Sequence, residues 1–379
     1  MDFSLSEEQQ RIREAIAKLC TRFPDDYWLK RDQEGGFPAD FHQAAARDGW
    51  LGIAMPEEFG GAGLGIAEAA VMMQAIAESG AGFSGASAVH MNIFGLNPVV
   101  VFGTQAQKER MLPPLIRGEQ RACFAVTEPN TGLNTKKIKT KAEKRGDQYI
   151  VSGQKVWIST AQVAEKVLLL ATTNNGLTLF YTDLDRRHVE VREIDKMGRH
   201  AVDSNQLFFD ALPVPEEDRI GEEGRGFEYI LHGMNPERIL IAAELVGLGR
   251  CAVSRAAAYA KERIVFDRPI GQNQAIQHPL AANWMALEAA NLMAFKAAWL
   301  YDHGKPCGAE ANAAKYLAGE ACFDACQQAV MTHGGFGYAR EYHVERYLRE
   351  SFVGRIAPVS RELILCFIAE RVLGLPKSY

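Results

Sequence analysis

The stretch GMNPERILIAAEL (233–245) sets an acid and a base side by side, Glu237 and Arg238, at the head of an apolar helical run. A carboxylate beside a cavity can take a proton from an activated C–H, and an adjacent guanidinium can fix local geometry or pair with nearby acids. The same residues also read as an ordinary helix start. Asn235 is then the N-cap and Pro236 the first helical residue, with Glu237 a first-turn acid favoured by the helix dipole. Both readings stand on this stretch alone. Metal chemistry has no matching pattern: Cys20, Cys123, Cys251, Cys307, Cys322, Cys326 and Cys366 are scattered, with no C-x-x-C and no Cys/His cluster at zinc spacing.

The elements that must hold Glu237 change character along the chain. Ser6 and Gln9 form a capping box ahead of Ile12, Ile16 and Leu19 on one face, and helical periodicity dominates to about residue 120. FPADF at 37, PEEFGGAGLG at 56 and Pro113-Pro114 read as breaks. Short β-rich runs follow at 149–159, 166–173, 177–184, 189–194 and 205–214, separated by Gly, Asn and Pro. After EEGRGF (222–227) the helical period returns and holds to the end. Helices, a small block of strands, then helices again imply an α+β chain in three parts: an N-terminal all-α domain (1–120), a middle β domain (121–229) and a C-terminal all-α domain (230–379). GGAGLG and HGGFGY both follow helical segments, so neither has the strand-then-helix context of a dinucleotide-binding fingerprint.

Composition narrows the partners. The 379 residues carry 42 basic and 47 acidic side chains, a net charge of −5, which does not point to nucleic acid or an anionic membrane as a main partner. Glu7 and Glu8 stand where a secretory or transit leader would avoid acids, and no apolar stretch approaches the ~20 residues of a membrane span. An odd, dispersed set of thiols suits a reducing compartment. The expectation is a cytoplasmic protein without membrane insertion and without a nucleic-acid partner.

Seven stretches, in order, resemble the acyl-CoA dehydrogenase family: PEEFGGAGLG, GTQAQKERMLPPLIRGE, CFAVTEPNTGLNT, GQKVWIST, VPEEDRIGEEGRGF, AKERIVFDRPIGQNQAIQ and THGGFGYAREYHVER. The resemblance runs from Leu5 almost to the last residue. It implies the acyl-CoA dehydrogenase fold, with a helical N-terminal domain, a small middle β domain and a C-terminal helical bundle. It implies FAD between the β domain and the C-terminal helices, with an acyl-CoA against the flavin ring. Thr127, Trp157 and Ser159 match positions that contact the isoalloxazine. Arg263, Phe266 and Gln274 match positions that hold the pyrophosphate and adenosine of a neighbouring subunit's FAD, and Gly334 and Gly335 match a turn that approaches the same cofactor. A homodimer or homotetramer follows from that sharing.

One branch of the family carries its catalytic glutamate near the C-terminus, in a stretch that aligns with IAPVS and puts Pro358 at the acid's place. Another branch, which includes the long-chain and isovaleryl enzymes, carries it in a stretch resembling NPERILIA, and Glu237 matches it. Glu237 is therefore the expected catalytic base, with Arg238 and His90 near the substrate; His90 and His333 both lie in segments expected near the cavity and are the other conceivable bases. Four places depart from the family pattern: Leu133-Asn134 for Ser-Asp, Asp267 for Gly, Met331 for Gln, and Pro358, which has no N–H to polarise a thioester carbonyl. The implied activity is FAD-dependent α,β-dehydrogenation of an acyl-CoA to the 2-enoyl-CoA, with electrons passed to an electron-transferring flavoprotein. The alternatives are enoyl-CoA reduction, lyase or flavin monooxygenase chemistry on the same fold, or a non-catalytic subunit serving binding or assembly.

Overall fold

The computed structural model describes residues 4–378. Ser6 caps the first helix as the sequence predicts: its hydroxyl accepts the Gln9 N–H, and the Gln9 side chain accepts the Ser6 N–H, each at 3.1 Å. Helix α1 (Glu7–Cys20) buries Ile12, Ile16 and Leu19. It leads an N-terminal helical layer of α2 (Asp25–Glu34), α3 (Ala39–Arg47), α4 (Ile66–Ile76), α5 (Gly82–Phe94), α6 (Asn97–Phe102) and α7 (Gln105–Ile116).

Two expectations fail here. Pro113 and Pro114 lie inside α7 instead of stopping it. They fall in its last turns, where the apolar face of Met111, Leu112, Leu115 and Ile116 is buried and outweighs the lost N–H donors. The run Ile66–Phe102 is also long and apolar enough to cross a bilayer, yet 71% of its apolar window is buried inside the protein, as in a core hairpin.

That hairpin turns at Gly80 and Gly82, with φ of +101° and +63°. A buried carboxylate fixes the turn: Glu350 accepts the Phe83 N–H at 2.7 Å and the Ser84 hydroxyl at 2.6 Å, while Arg346 donates to the Gly80 carbonyl at 2.7 Å. These bonds satisfy the first-turn donors of α5 and set its direction.

The middle sheet has strands β1 (Ala122–Ala125), β2 (Lys141–Arg145), β3 (Gln148–Ser159), β4 (Lys166–Thr173), β5 (Gly176–Asp183), β6 (Val189–Glu193), β7 (Ser204–Pro215) and β8 (Arg219–Ile220). Their order is β6-β7-β3-β2-β4-β5-β8, with β1 parallel to β4. The β3–β7 register shifts between Lys155 and Ile158, a bulge in which Trp157 takes φ +62°.

The C-terminal part is built on α8 (Gly226–Glu262), which packs against α4, α5, α9 (Gln274–Asp302) and α10 (Gly308–His333). A short hairpin, β9 (Ile264–Val265) and β10 (Arg268–Pro269), joins α8 to α9, and α11 (Val344–Ser351), α12 (Val353–Ile356) and α13 (Arg361–Phe367) follow α10. The helix-start reading of Asn235-Pro236 is wrong. Helix α8 begins ten residues before Pro236, at Gly226, where an added Cβ would sit 2.6 Å from the Leu179 nitrogen of β5. Buried Tyr229 and Ile230 hold the extra turns against the β domain, and Pro236 is an interior residue. Glu237 is therefore no first-turn acid.

Candidate active site

Glu237 and Glu244 lie seven residues apart on α8, two turns along one face and about 10 Å in rise. Glu237 is 5% exposed and Glu244 0%. His90 of α5 fills the space between them: its Nε2 is 2.5 Å from Glu237 Oε2 and its Nδ1 2.5 Å from Glu244 Oε1. Burial pulls the imidazole toward its neutral form, but the two carboxylates outweigh it and push its pKa up to about 10. Burial raises Glu244, and His90 draws it back down.

Beyond Glu244 stands a second cation, half-buried. Arg199, in the loop before β7, donates to the hydroxyls of Ser87 (3.2 Å), Ser159 (3.0 Å) and Ser204 (3.4 Å). Burial lowers the pKa of Arg199, opposed by Glu350 and Glu244. Arg199 Nε and Glu244 Oε2 are both buried without a hydrogen-bond partner. A line of polar groups thus runs from Glu237 through His90 and Glu244 toward Arg199 and Ser159.

On the other side of Glu237 the charges are positive. Arg238 donates to the Met234 carbonyl and to Asn235 Oδ1, both at 3.2 Å, and among the described residues it forms no ion pair. Burial lowers its pKa, and Glu237 opposes that. Lys315 of α10 is buried and donates to the Val359 carbonyl at 2.7 Å; burial, then Arg238, pushes it down to about 8. His333 points elsewhere, bonded to the Ala329 carbonyl at 2.7 Å and stacked on Tyr259 at 4.2 Å.

The residues expected to hold a flavin fall into two groups. Thr127 follows β1, and its carbonyl accepts the Val156 N–H at 2.9 Å. The bulge turns Trp157 outward, 60% exposed, and Ser159 ends the same strand. Nearby in sequence, the Thr131 hydroxyl is buried without a partner. In the second group, the Arg263 guanidinium stands 5.5 Å over the ring of Phe336, next to Gly334 and Gly335. An added Cβ at either glycine meets nothing within 4 Å, so this turn is open on its outer side. Phe266 is 93% exposed at the tip of the β9–β10 hairpin, where it and Asp267 take φ of +52° and +61°, the turn geometry in which Asp replaces glycine at modest strain. Gln274, exposed, opens α9.

Among the described residues no hydrogen bond or ion pair joins the two groups. An exposed indole, an orphaned hydroxyl and a guanidinium that forms no ion pair among the described residues fit a planar ring joined to a diphosphate. Leu133 and Met331, two of the departures, are exposed as well. Glu244, Arg199 and Lys315 carry no sequence motif. Only the i, i+7 spacing of two acids on an apolar helix hints at Glu244.

Three family models cover the chain: "Acyl-CoA dehydrogenase, N-terminal domain" over 6–119, "Acyl-CoA dehydrogenase, middle domain" over 123–212 and "Acyl-CoA dehydrogenase, C-terminal domain" over 224–373. The chain is 37% identical to acyl-CoA dehydrogenase FadE12 of Mycobacterium tuberculosis, over 100% of this chain and 99% of that one. It is 34% identical to a 3-(aryl)acrylate reductase of Clostridium sporogenes, over 97% and 99%. The structure of a glutaryl-coenzyme A dehydrogenase in complex with glutaryl-CoA superposes with a TM-score of 0.95 at 30% identity, over 100% of this chain and 98% of that one.

Proposed function

This chain belongs to the acyl-CoA dehydrogenase family of FAD-binding oxidoreductases, and from that membership we propose that it oxidises a saturated acyl-CoA to the 2-enoyl-CoA with Glu237 as base. The observation that carries the reading is the buried Glu237 carboxylate, one oxygen of which is held by His90. Glu237 takes the α-proton of the thioester, and the electron pair of that C–H bond becomes the new double bond. Bound FAD would supply the acceptor for the β-hydrogen and its electron pair.

Thr127, Trp157 and Ser159 hold the flavin ring. Arg263, Phe266, Gln274 and the Gly334-Gly335 turn hold the diphosphate end of a neighbouring subunit's FAD. Their exposure in the single chain, beside the exposed Trp284, Met285 and Leu292 of α9, supports a homodimer or homotetramer. Arg238 orders the helix around Glu237 through Met234 and Asn235. The electrons leave to an electron-transferring flavoprotein; a relative of Acetobacterium woodii that is 32% identical over 91% of this chain is named as the CarC subunit of a caffeyl-CoA reductase–Etf complex, which supports that partner. The seven cysteines are free thiols, six of them buried, which supports a reducing, cytoplasmic setting.

Anaerobic titration of the FAD-loaded enzyme with acyl-CoAs of increasing length and branching tests the reading. Bleaching of the flavin by at least one saturated acyl-CoA is expected. A flavin that stays oxidised with all of them, and reoxidises from its reduced form with an enoyl-CoA, turns the assignment to reduction, the activity in the name of the Clostridium relative.

A further inference from the structure

Glu237 does not stand alone. Two hydrogen bonds link three groups, and each bond needs one proton, so the Glu237–His90–Glu244 unit holds two protons and a net charge of −1; the two carboxylates, which raise the His90 pKa, draw both onto the imidazole, an imidazolium between two carboxylates. An imidazolium beside Glu237 would by itself weaken it as a base, because taking up a proton would leave a bare positive charge in a buried site. A second carboxylate on the far nitrogen removes that penalty.

We propose that His90 and Glu244 are positioning residues for the base: His90 fixes Glu237 Oε2 so that the other oxygen meets the substrate, and Glu244 balances the imidazolium so that proton uptake takes the unit from −1 to neutral. The inference rests on the proposed dehydrogenation. In that step the O–H bond forms on the free oxygen of Glu237 as the substrate Cα–H bond breaks. The C–H electron pair stays with the substrate as its new double bond, and the β-hydride goes to the oxidant already assigned.

The surroundings are built to hold the bridge. Helix α5 is anchored at its start by Glu350, eight residues before His90, so the imidazole reaches α8 from a fixed base. Among the described residues, these charged groups face the unit. Glu237 and Glu244 come from α8, Arg199 from the loop before β7, Glu350 of α11 lies behind Arg199, and Arg238 and Lys315 lie on the Glu237 side. Arg199 donates to hydroxyls and forms no ion pair among the described residues, so its charge favours Glu244 as an anion without pairing with it.

The unit has its own signature in pH. With Glu244→Gln, the amide can donate to Nδ1, and His90 then titrates in the ordinary imidazole range. Below that range Glu237 faces an unbalanced imidazolium; above it His90 is neutral and the base recovers. In the FAD-loaded enzyme, with an acyl-CoA that bleaches the wild type, Glu244→Gln is expected to reduce its flavin about tenfold or more slowly than wild type at about pH 5.5 and to close most of that gap by about pH 9. Glu244→Asp, which keeps the charge, should follow the wild-type profile. A loss that is the same at every pH marks a packing role and overturns the proposal, as does an unchanged rate.

A second readout needs no turnover. In 15N-histidine-labelled wild type, one imidazole should keep both nitrogens protonated at about pH 8.5 and vanish from the spectrum in His90→Gln. A neutral His90 at that pH overturns the bridge, even if the variants fail to hold FAD. Should no acyl-CoA bleach the wild type, the dehydrogenase reading falls, and the imidazole signal still decides the bridge by itself.

Discussion

The Lys315 ammonium donates to the Val359 carbonyl at 2.7 Å, which ties the backbone beside Pro358 to helix α10. The segment's path is therefore held by a contact that does not involve residue 358. On the proposed reading, the thioester carbonyl lies where a backbone N–H at 358 would polarise it, and proline has none to give.

Pro358→Ala supplies that donor while Lys315 holds the neighbouring carbonyl. One such donor is worth ~3 kcal/mol in a transition state, ~10²-fold in rate. Faster flavin reduction by an acyl-CoA is expected, measured by stopped flow with FAD fully bound. An unchanged or lower rate would mean that another group already holds the carbonyl.

Lys315 itself carries a pH-dependent cost. Its folded pKa of about 8 lies below the unfolded value of about 10.4, so the unfolded chain binds its proton more tightly. The penalty for burying the cation is full below about pH 8 and is lifted as pH rises toward 10.4, a gain of order 3 kcal/mol. Lys315→Met has no such proton. Denaturant melts should show wild type gaining stability relative to Lys315→Met across that window; parallel curves would put the lysine charge in contact with water.

Arg263 offers a test of the shared cofactor site. It already stands over Phe336 at the Gly334-Gly335 turn, and Phe266 and Gln274 are exposed on the adjoining hairpin and helix start. A charge-assisted bond to a diphosphate is worth ~1.5–3 kcal/mol, so Arg263→Ala should weaken FAD binding ~10- to 100-fold. Occupancy is read from flavin absorbance after dialysis, and assembly from light scattering. Full occupancy with an unchanged assembly would remove Arg263 from the site.

How much of this was legible depends on where the information sits. Strands β3 to β7 announce themselves because alternating or continuous apolar runs end at Gly, Asn or Pro, and the sequence places them within about two residues of where they form. Strand β2, KAEKR, is missed because only Ala142 is buried, and β1 is four residues long. The start of α8 misleads because Asn-Pro-Glu mimics an N-terminus locally, while Gly226 against β5 and buried Tyr229 decide the matter from outside the segment. Glu237 stands out only through the family resemblance. His90 is singled out only as a residue near the cavity, 147 residues from Glu237, and its link to both acids is not legible; Glu244 shows only as a second acid at i, i+7 on an apolar helix, and its purpose appears when the imidazole is seen between the two carboxylates.

Glu237→Gln separates the remaining readings of that residue. The amide keeps a carbonyl oxygen to accept from His90 Nε2, so the bridge to α5 and the packing of α8 survive, while the group that takes the proton is gone. With Glu237 well inside α8 instead of at its start, the helix dipole offers it little, and no dipole-linked change in stability is expected. Loss of a general base lowers rates ~10²–10⁴-fold. The variant should melt close to wild type, keep its FAD and show the flavin spectral shift on binding an enoyl-CoA, yet bleach at least ~100-fold more slowly with an acyl-CoA that wild type oxidises. Slow bleaching without the binding shift would place the defect in substrate affinity. Near-normal bleaching would return Glu237 to a structural partner of His90 and leave the imidazole, freed from one carboxylate, as the next group to test as base.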